Sequence, residues 1–251
     1  MAARSTKRHI LTWATQPMDV YVAALKDPVW RVRRQAAAAL ELLGDRQAVP
    51  PLVARLTDDD VRVRETVVRA LGRLGGKRAI KPLVRVLGDS DHAVQAQALD
   101  ALARLNALAQ VHDPAAVDAL IATLQGPSPL RPGAAAALGN IGAPRAIGPL
   151  VDALRRAAAE YPGLNMGTAY VVALGSVGLP ALPALLDLIL DEDSALRAYA
   201  ALGLVYVSDD KRAIDALQSA RHDRNLDVRR NAVWSLRQAA DPTLQGRLTD
   251  R

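Results

Sequence analysis

The amino-acid sequence predicts an all-α protein in which about seven helix pairs are stacked as a solenoid. Residues 31–60 and 62–91 have similar sequences. Aligned at a shift of 31 residues, they are identical at 14 of 30 positions. Repeats of this length are typical of small helical units that bury a continuous core between neighbours. Half of the 251 residues are hydrophobic, but only 3% are aromatic and Phe is absent, which favours close packing of Ala, Leu and Val.

The first helix of each pair is predicted from apolar residues on one helical face. Apolar or small residues follow Val32 at +4, +7, +8 and +11, and the same spacing returns from Val63, Val94 and four later residues. This is the spacing of one buried face of an α-helix. The predicted first helices lie near residues 30–43, 61–74, 92–105, 130–141, 166–177, 194–207 and 226–239.

A second predicted helix follows each of the first six. Its apolar residues are Val49, Leu52, Val53 and Leu56 in the first copy. Glycines stand where the first helices must stop and can take the left-handed conformation there, and prolines stand in the first turn of the second helices. These residues are Gly44, Gly75, Gly142 and Gly178, and Pro51, Pro82 and Pro149.

The repeats also predict the limits of the solenoid. Residues 18–26 have the pattern of a lone second helix, so the solenoid is expected over residues 18–240. It is expected to lie between an N-terminal segment, residues 1–17, and a C-terminal tail, residues 241–251.

The turn between the two helices of a pair carries a recognisable motif. It reads "LGDRQAVPPL" at 43–52, "LGGKRAIKPL" at 74–83 and "IGAPRAIGPL" at 141–150, and more loosely "DKRAIDAL" at 210–217. This motif resembles the HEAT-like repeat family in its short bacterial form, which is also found in bilin lyases. The resemblance implies a right-handed α-solenoid of about seven HEAT-like helix pairs that serves as a binding scaffold.

Charged residues recur with the same period. Asp27, Asp58 and Asp89 lie 31 residues apart, as do Arg33 and Arg64. In HEAT-like solenoids an Asp and an Arg at fixed repeat positions bond between neighbouring repeats. The resemblance therefore implies a structural role for these arginines rather than ligand binding.

Composition excludes several classes of chemistry. Without cysteine the chain can form no disulfide, thiolate zinc site or Cys nucleophile. No phosphate-binding loop and no dinucleotide fingerprint is present, and the four histidines, His9, His92, His112 and His222, form no His-Glu dipeptide. We therefore predict no catalytic residue, no metal and no cofactor. No signal peptide or membrane span is expected, which favours the cytoplasm.

The second helices predict a partner surface, because in HEAT-like solenoids they line the concave side. Residues one and five positions after the first apolar residue of each second helix (Val49 in the first copy, Ile80 in the second) lie off the buried stripe. Along the chain they are basic at Lys81 and Arg85, then acidic at Asp118, Asp152, Asp187 and Asp215. Such a surface would offer opposite charges to the two ends of one partner. Alternatively, these charges only keep the face solvated.

Two further sets of residues are candidates for binding. The repeats carry extra residues near 106–113 and 155–167, and the second insertion offers Tyr161 and Asn165, with Tyr170 nearby, as partner contacts. The alternative is a lengthened helix and a surface loop. Arg78, Arg145 and Arg212 stand at turns entering second helices and could form an anion site, although a structural role as repeat consensus residues remains open.

The predicted function is a non-enzymatic scaffold that binds a protein partner along the charge-graded face. One alternative is bilin lyase-like attachment of a chromophore to a light-harvesting protein, or chaperoning of that protein. Another is nucleic-acid binding, which the acidic residues after Asp118 argue against, since they would repel phosphates. Self-association through the solenoid ends is a further expectation.

Overall fold

The computed structural model describes residues 17–109, 114–126, 128–161 and 165–240. The predicted N-terminal segment, apart from Pro17, and the predicted C-terminal tail lie outside these residues. All regular structure in the described ranges is helical, and the predicted all-α solenoid of helix pairs is confirmed. The chain divides into two compact units, residues 1–116 and 117–251, and each is described by itself.

The first unit is a stack of three first helices with the second helices beside them. In chain order the helices are α1 (Met18–Ala24), α2 (Trp30–Leu43), α3 (Val49–Val53), α4 (Val61–Leu74), α5 (Lys77–Val86) and α6 (His92–Ala109). The first helices α2, α4 and α6 pack on one another in this order, and each second helix packs against the first helix that follows it. The buried face of α4 includes Val63, Val67 and Leu71, as the 3.6-residue spacing requires.

The second unit repeats this arrangement. Its helices are α7 (Pro114–Gln125), which begins three residues before the boundary, α8 (Arg131–Ile141), α9 (Ile147–Glu160), α10 (Thr168–Val177), α11 (Leu182–Leu188), α12 (Ser194–Gly203), α13 (Lys211–Ala220) and α14 (Leu226–Ala239). The first helices α8 and α10 pack together, as do α10 with α12 and α12 with α14.

Three first helices differ in length from the ranges that the spacing predicts. One of them is α6, which continues to Ala109. A 3-10 turn over Asn165–Gly167 precedes α10, so this helix begins at Thr168. Gly167 packs so closely on Tyr199 that a Cβ there would lie 2.5 Å from the ring. At the other end of the next repeat, α12 gives way to a 3-10 turn over Leu204–Val207.

The first helices end at all four predicted glycines, and three of the four have a positive φ angle. Gly44, Gly142 and Gly178 have φ angles of 73°, 67° and 83°, which L-residues with a Cβ rarely adopt. Gly75 ends α4 as predicted, but the left-handed conformation expected of it is wrong, since it has φ −71° and the positive φ falls on Gly76. The expectation for Pro82 is also wrong. It lies inside α5 because the turn that is a 3-10 helix in the neighbouring repeat is already α-helical here.

Neighbouring first helices approach one another at small residues. A Cβ built on Gly72 of α4 would lie 2.8 Å from Cβ of Ala101 in α6, and one on Gly139 of α8 would lie 2.8 Å from Cα of Ala173 in α10. Such distances leave no room for a methyl group. Both glycines occupy the same repeat position, nine residues after Val63 and Leu130.

The repeating charges bond between neighbouring repeats, as predicted. The guanidinium of Arg33 donates to both carboxylate oxygens of Asp58, at 2.8 and 2.7 Å. Arg64 donates to Asp89 in the same way, at 2.9 and 3.0 Å. We call these Arg–Asp pairs the ladder. Each ladder arginine also donates to backbone carbonyls of the turn before its own helix, such as Asp27 O and Asp58 O.

The second unit contains a further ladder pair that the sequence analysis missed. Arg197 donates to Asp223 at 2.8 and 3.0 Å. Arg197 directly follows Leu196, the residue that begins the apolar spacing of its helix, as Arg33 follows Val32. This shared repeat position could have predicted the pair. Hydrogen bonds from Arg197 lower the pKa of Asp223. Burial opposes the charged form of Asp58, but the hydrogen bonds from Arg33 and the Asp60 N–H outweigh it, and its pKa is also lowered.

No single helix in the described ranges combines the length and the apolar composition needed to cross a membrane. Thr168–Val177 and Leu179–Leu188 reach that composition only as a pair, which is bent by 118°.

Candidate interaction surface

The six charged residues predicted on the second helices are all exposed. Lys81 and Arg85 lie on α5 in the first unit. Asp118, Asp152, Asp187 and Asp215 lie on α7, α9, α11 and α13 in the second unit. These six side chains are exposed because the apolar residues of each helix place its opposite face in the core.

The exposed face of α5 is a row of cations. Lys77, Arg78, Lys81 and Arg85 are exposed, and the helix contains no acidic residue. Arg78, Lys81 and Arg85 are spaced three and four residues apart, so they follow one stripe of the helix. None of these four side chains forms an ion pair with any residue that the structure describes.

One predicted anion-binding arginine meets one predicted partner-binding aspartate. Arg145, at the turn before α9, bonds to Asp118 of α7 at 2.9 Å, and both side chains are more than half exposed. A pair this exposed contributes little to stability. The carboxylates of Asp152, Asp187 and Asp215 form no ion pair with the rest of the described residues.

The other two predicted anion-binding arginines differ in their surroundings. Arg212 donates to Asp210, the N-cap residue of α13, at 3.0 and 2.9 Å. These bonds lower the pKa of Asp210 to about 2. At the equivalent position before Arg78 stands Gly76, which has no carboxylate. Arg78 is therefore left open to solvent, whereas Arg212 is bonded within its own turn.

The insertion at 155–167 is largely a lengthened helix. α9 continues to Glu160, and half-buried Tyr161 follows as its C-terminal cap. Asn165 opens the 3-10 turn before α10, but its side chain lies outside the described residues, as do residues 110–113 of the first insertion. The expectation that Tyr170 contacts a partner is wrong. Its side chain is buried in α10, and burial raises its pKa.

A groove of about 410 Å³ lies between α3 and α5 in the first unit. Its apolar lining includes Val53, Leu56, Pro82 and Val86, and Arg85 stands at its wall. Sequence reasoning did not predict this groove, because its walls come from two repeats and its width depends on how they pack. The lining residues are Val53, Leu56, Thr57, Asp58, Arg64, Pro82, Arg85, Val86, Gly88 and Asp89.

The described residues contain no cluster of side chains that could bind a metal ion. No three His, Asp or Glu side chains among them lie close enough together to hold an ion. His92 bonds instead to Gln95 of its own helix, at 2.8 Å. His9 and His112 lie outside the described residues.

Stacked helix pairs joined by an Arg–Asp ladder define a helical repeat protein of the solenoid class. The chain belongs to the HEAT-repeat family, since residues 18–103 and 182–251, more than half of the chain, match HEAT repeats. Residues 131–160 match the PBS lyase HEAT-like repeat. Comparison with proteins of curated function found no match.

Solved structures with a similar fold span several kinds of protein. Importin beta is 14% identical over 92% of this chain and 37% of its own length, with a TM-score of 0.64. An engineered protein is 21% identical over 93% of this chain and 74% of its own, with a TM-score of 0.51. The complex of CpcE and CpcF of phycocyanin lyase from Nostoc sp. PCC7120 is 22% identical over 90% and 95%, with a TM-score of 0.49. At these identities the likeness concerns the fold alone.

Proposed function

We propose that this HEAT-repeat protein is a non-enzymatic scaffold that binds a protein partner along its exposed second-helix residues. The observation that carries the proposal is a division among the charges. Ladder residues such as Arg33 and Asp58 are buried and bonded to each other, whereas Lys81, Arg85 and Asp187 are exposed and unpaired among the described residues. Charges that stabilise the stack are thus distinct from charges available to a partner.

The signs of the available charges suggest which region of a partner each unit binds. The first unit offers cations on α5, which suit an acidic region. The second unit offers Asp152, Asp187 and Asp215, which suit a basic region. Exposed charges of this kind raise the association rate and select the correct partner more than they raise affinity.

The proposal is tested by comparing charge-reversal variants as bait. The immobilised full chain captures proteins from native lysate, alongside the variant Lys81→Glu with Arg85→Glu. The control is Lys26→Glu with Arg46→Glu, which makes the same charge change at exposed residues in the turns after α1 and α2. We expect at least one protein to be lost from the α5 variant and retained by the control, with equal melting temperatures. Equal capture by all three proteins would remove α5 from the partner surface.

Chromophore attachment is a second candidate, favoured by the match of residues 131–160 to the PBS lyase HEAT-like repeat. It predicts a visible absorbance band that persists after denaturation when the chain is incubated with an open-chain tetrapyrrole and a light-harvesting protein. Without such a band, the match reflects the repeat type and not the chemistry.

A further inference from the structure

We propose that the groove between α3 and α5 binds an acidic peptide segment that carries a bulky apolar side chain. This inference rests on the proposed function, because it gives the chemistry of the partner segment bound by the first unit. It draws on three observations: the lining of the groove, the pairing of its charges, and the row of cations that leads away from it.

The lining of the groove suits an apolar side chain. Val53 and Leu56 face it from the end of α3 and the turn after it, and Pro82 and Val86 face it from α5. Its volume is about 410 Å³, and it is open to solvent, so it would cover one face of a bound apolar side chain. Burial of an apolar side chain in this groove would favour binding through the hydrophobic effect, which does not depend on direction.

The sign of the charge expected on the ligand follows from the charged residues of the lining, which are Asp58, Arg64, Arg85 and Asp89. Asp58 is bonded to Arg33, and Asp89 to Arg64. The remaining donor of Arg64 is bonded to the Asp58 carbonyl, at 2.8 Å. Arg85 is therefore the one charged residue of the lining that has no partner among the described residues, and it favours an anionic ligand.

The distance between the cations on α5 sets the spacing expected of the carboxylates in the bound peptide. At about 1.5 Å of rise per residue, Arg78 and Arg85 lie about 10 Å apart along α5. An extended peptide covers this distance with about three residues, at about 3.3 Å each. Carboxylates three positions apart would thus meet both ends of the row, with Lys81 between them. The lining contains no aromatic ring on which a base could stack, which favours a peptide over a single-stranded nucleic acid.

The test is fluorescence anisotropy with the full chain and a labelled peptide of sequence Ser-Glu-Asp-Leu-Leu-Asp-Glu-Ser. One control peptide replaces both leucines by serine, and another replaces the acidic residues by their amides. We expect both controls to bind on the order of tenfold more weakly, and a short labelled oligothymidylate to bind more weakly than the acidic peptide.

Two variants separate the charge from the groove. Arg85→Glu removes the unpaired cation. Gly88→Leu projects a side chain into the groove, where an added Cβ would meet only the Arg85 carbonyl oxygen, at an ordinary contact of 3.5 Å. Both should weaken binding of the peptide on the order of tenfold, whereas Arg46→Glu, in the turn after α2, should not. Circular dichroism and melting temperature establish that each variant is folded.

The results distinguish this inference from the proposed function. Undiminished peptide binding by Arg85→Glu, or stronger binding of the oligothymidylate, overturns the acidic-peptide site. If lysate capture still depends on Lys81 and Arg85 while the peptide fails to bind, the scaffold stands and the acidic ligand is wrong. Groove-dependent peptide binding without any captured partner supports the site and counts against the scaffold.

Discussion

Arg33 and Asp58 lie 25 residues apart in the chain, yet their side chains form a double hydrogen bond at 2.8 and 2.7 Å. Both side chains are almost fully buried, with 9% and 1% of their surface exposed. The pair joins α2 to the turn before α4, the first helix of the next repeat. It therefore contributes to stability in a way that exposed charges of the same repeats do not.

Removing Asp58 should destabilise the first unit. Asp58→Ala removes both carboxylate oxygens that accept from the buried guanidinium of Arg33 at 2.8 and 2.7 Å. We expect a loss of about 2–3 kcal/mol in the free energy of unfolding by urea. The matched control is Asp59→Ala, since Asp59 also contacts Arg33 but 91% of its side chain is exposed. The control should lose less than about 1 kcal/mol. Equal losses in the two variants would mean that burial of the pair does not matter.

Stability should fall in acid because carboxylates that accept hydrogen bonds from arginines are held charged. Hydrogen bonds from arginines lower the pKa values of Asp223 and Asp210, the latter to about 2. A carboxyl whose pKa is lower in the folded chain stabilises the fold above its unfolded pKa, near 3.8. That contribution is lost as pH falls through the folded pKa. We expect melting temperatures to be level above about pH 5 and to fall towards about pH 2.

A variant identifies the groups responsible for this acid sensitivity. Asp223→Asn cannot be protonated, so the difference between its melting temperatures at neutral and acid pH should be smaller than in the natural chain. An identical pH profile in the variant would show that other carboxyls control unfolding in acid.

Two glycines should respond in opposite directions to the same substitution. Gly72→Ala places a methyl group 2.8 Å from Cβ of Ala101 and 3.1 Å from its Cα, and overpacking of this kind costs about 1–3 kcal/mol. Gly148→Ala is the control, because it lies exposed in the first turn of α9 with nothing within 4 Å of the added Cβ. It should stabilise by about 0.5–1 kcal/mol, since Ala favours the helix. Thermal and urea unfolding measure both, and a stabilising Gly72→Ala would mean that the helices are free to move apart.

The carboxylates of the second unit should affect partner binding and not folding. Asp187→Lys with Asp215→Lys reverses two exposed charges on α11 and α13, and we expect weaker retention of a captured partner in salt elution. The free energy of unfolding should change by no more than about 0.5 kcal/mol. Glu192→Lys with Asp209→Lys is the control, because these exposed residues carry the same charge change in turns outside the second helices. Partner loss in the control as well would point to net charge rather than to this surface.

Much of the fold could be predicted because the spacing of apolar residues within each repeat is enough to indicate its helix pair. The buried spacing from Val63 to Leu74 describes a helix that the structure contains, and Gly44 ends a helix where its left-handed conformation was expected. Gly75 and Pro82 were predicted less well. Their conformations depend on whether the turn between the helices is a 3-10 or an α-helical turn, and the local sequence is compatible with both.

The candidate surface was predicted only in part. Periodicity placed Lys81 and Asp187 on exposed faces, because a helix that buries one stripe must expose the opposite one. It could not show that Asp118 bonds to Arg145, that Arg212 bonds to Asp210, or that Tyr170 is buried. Those outcomes depend on distances between side chains of different turns and repeats.

The sequence by itself determined the helical repeat, the positions of the ladder residues Arg33, Asp58, Arg64 and Asp89, and which charged residues of the second helices lie on exposed faces. These properties follow from residue type and spacing along one chain. Tertiary structure alone decided which charges remain available and where a groove opens beside Arg85. The physical reason is that ion pairing and cavity width depend on how closely neighbouring repeats pack, and that distance is set by contacts between residues far apart in the sequence.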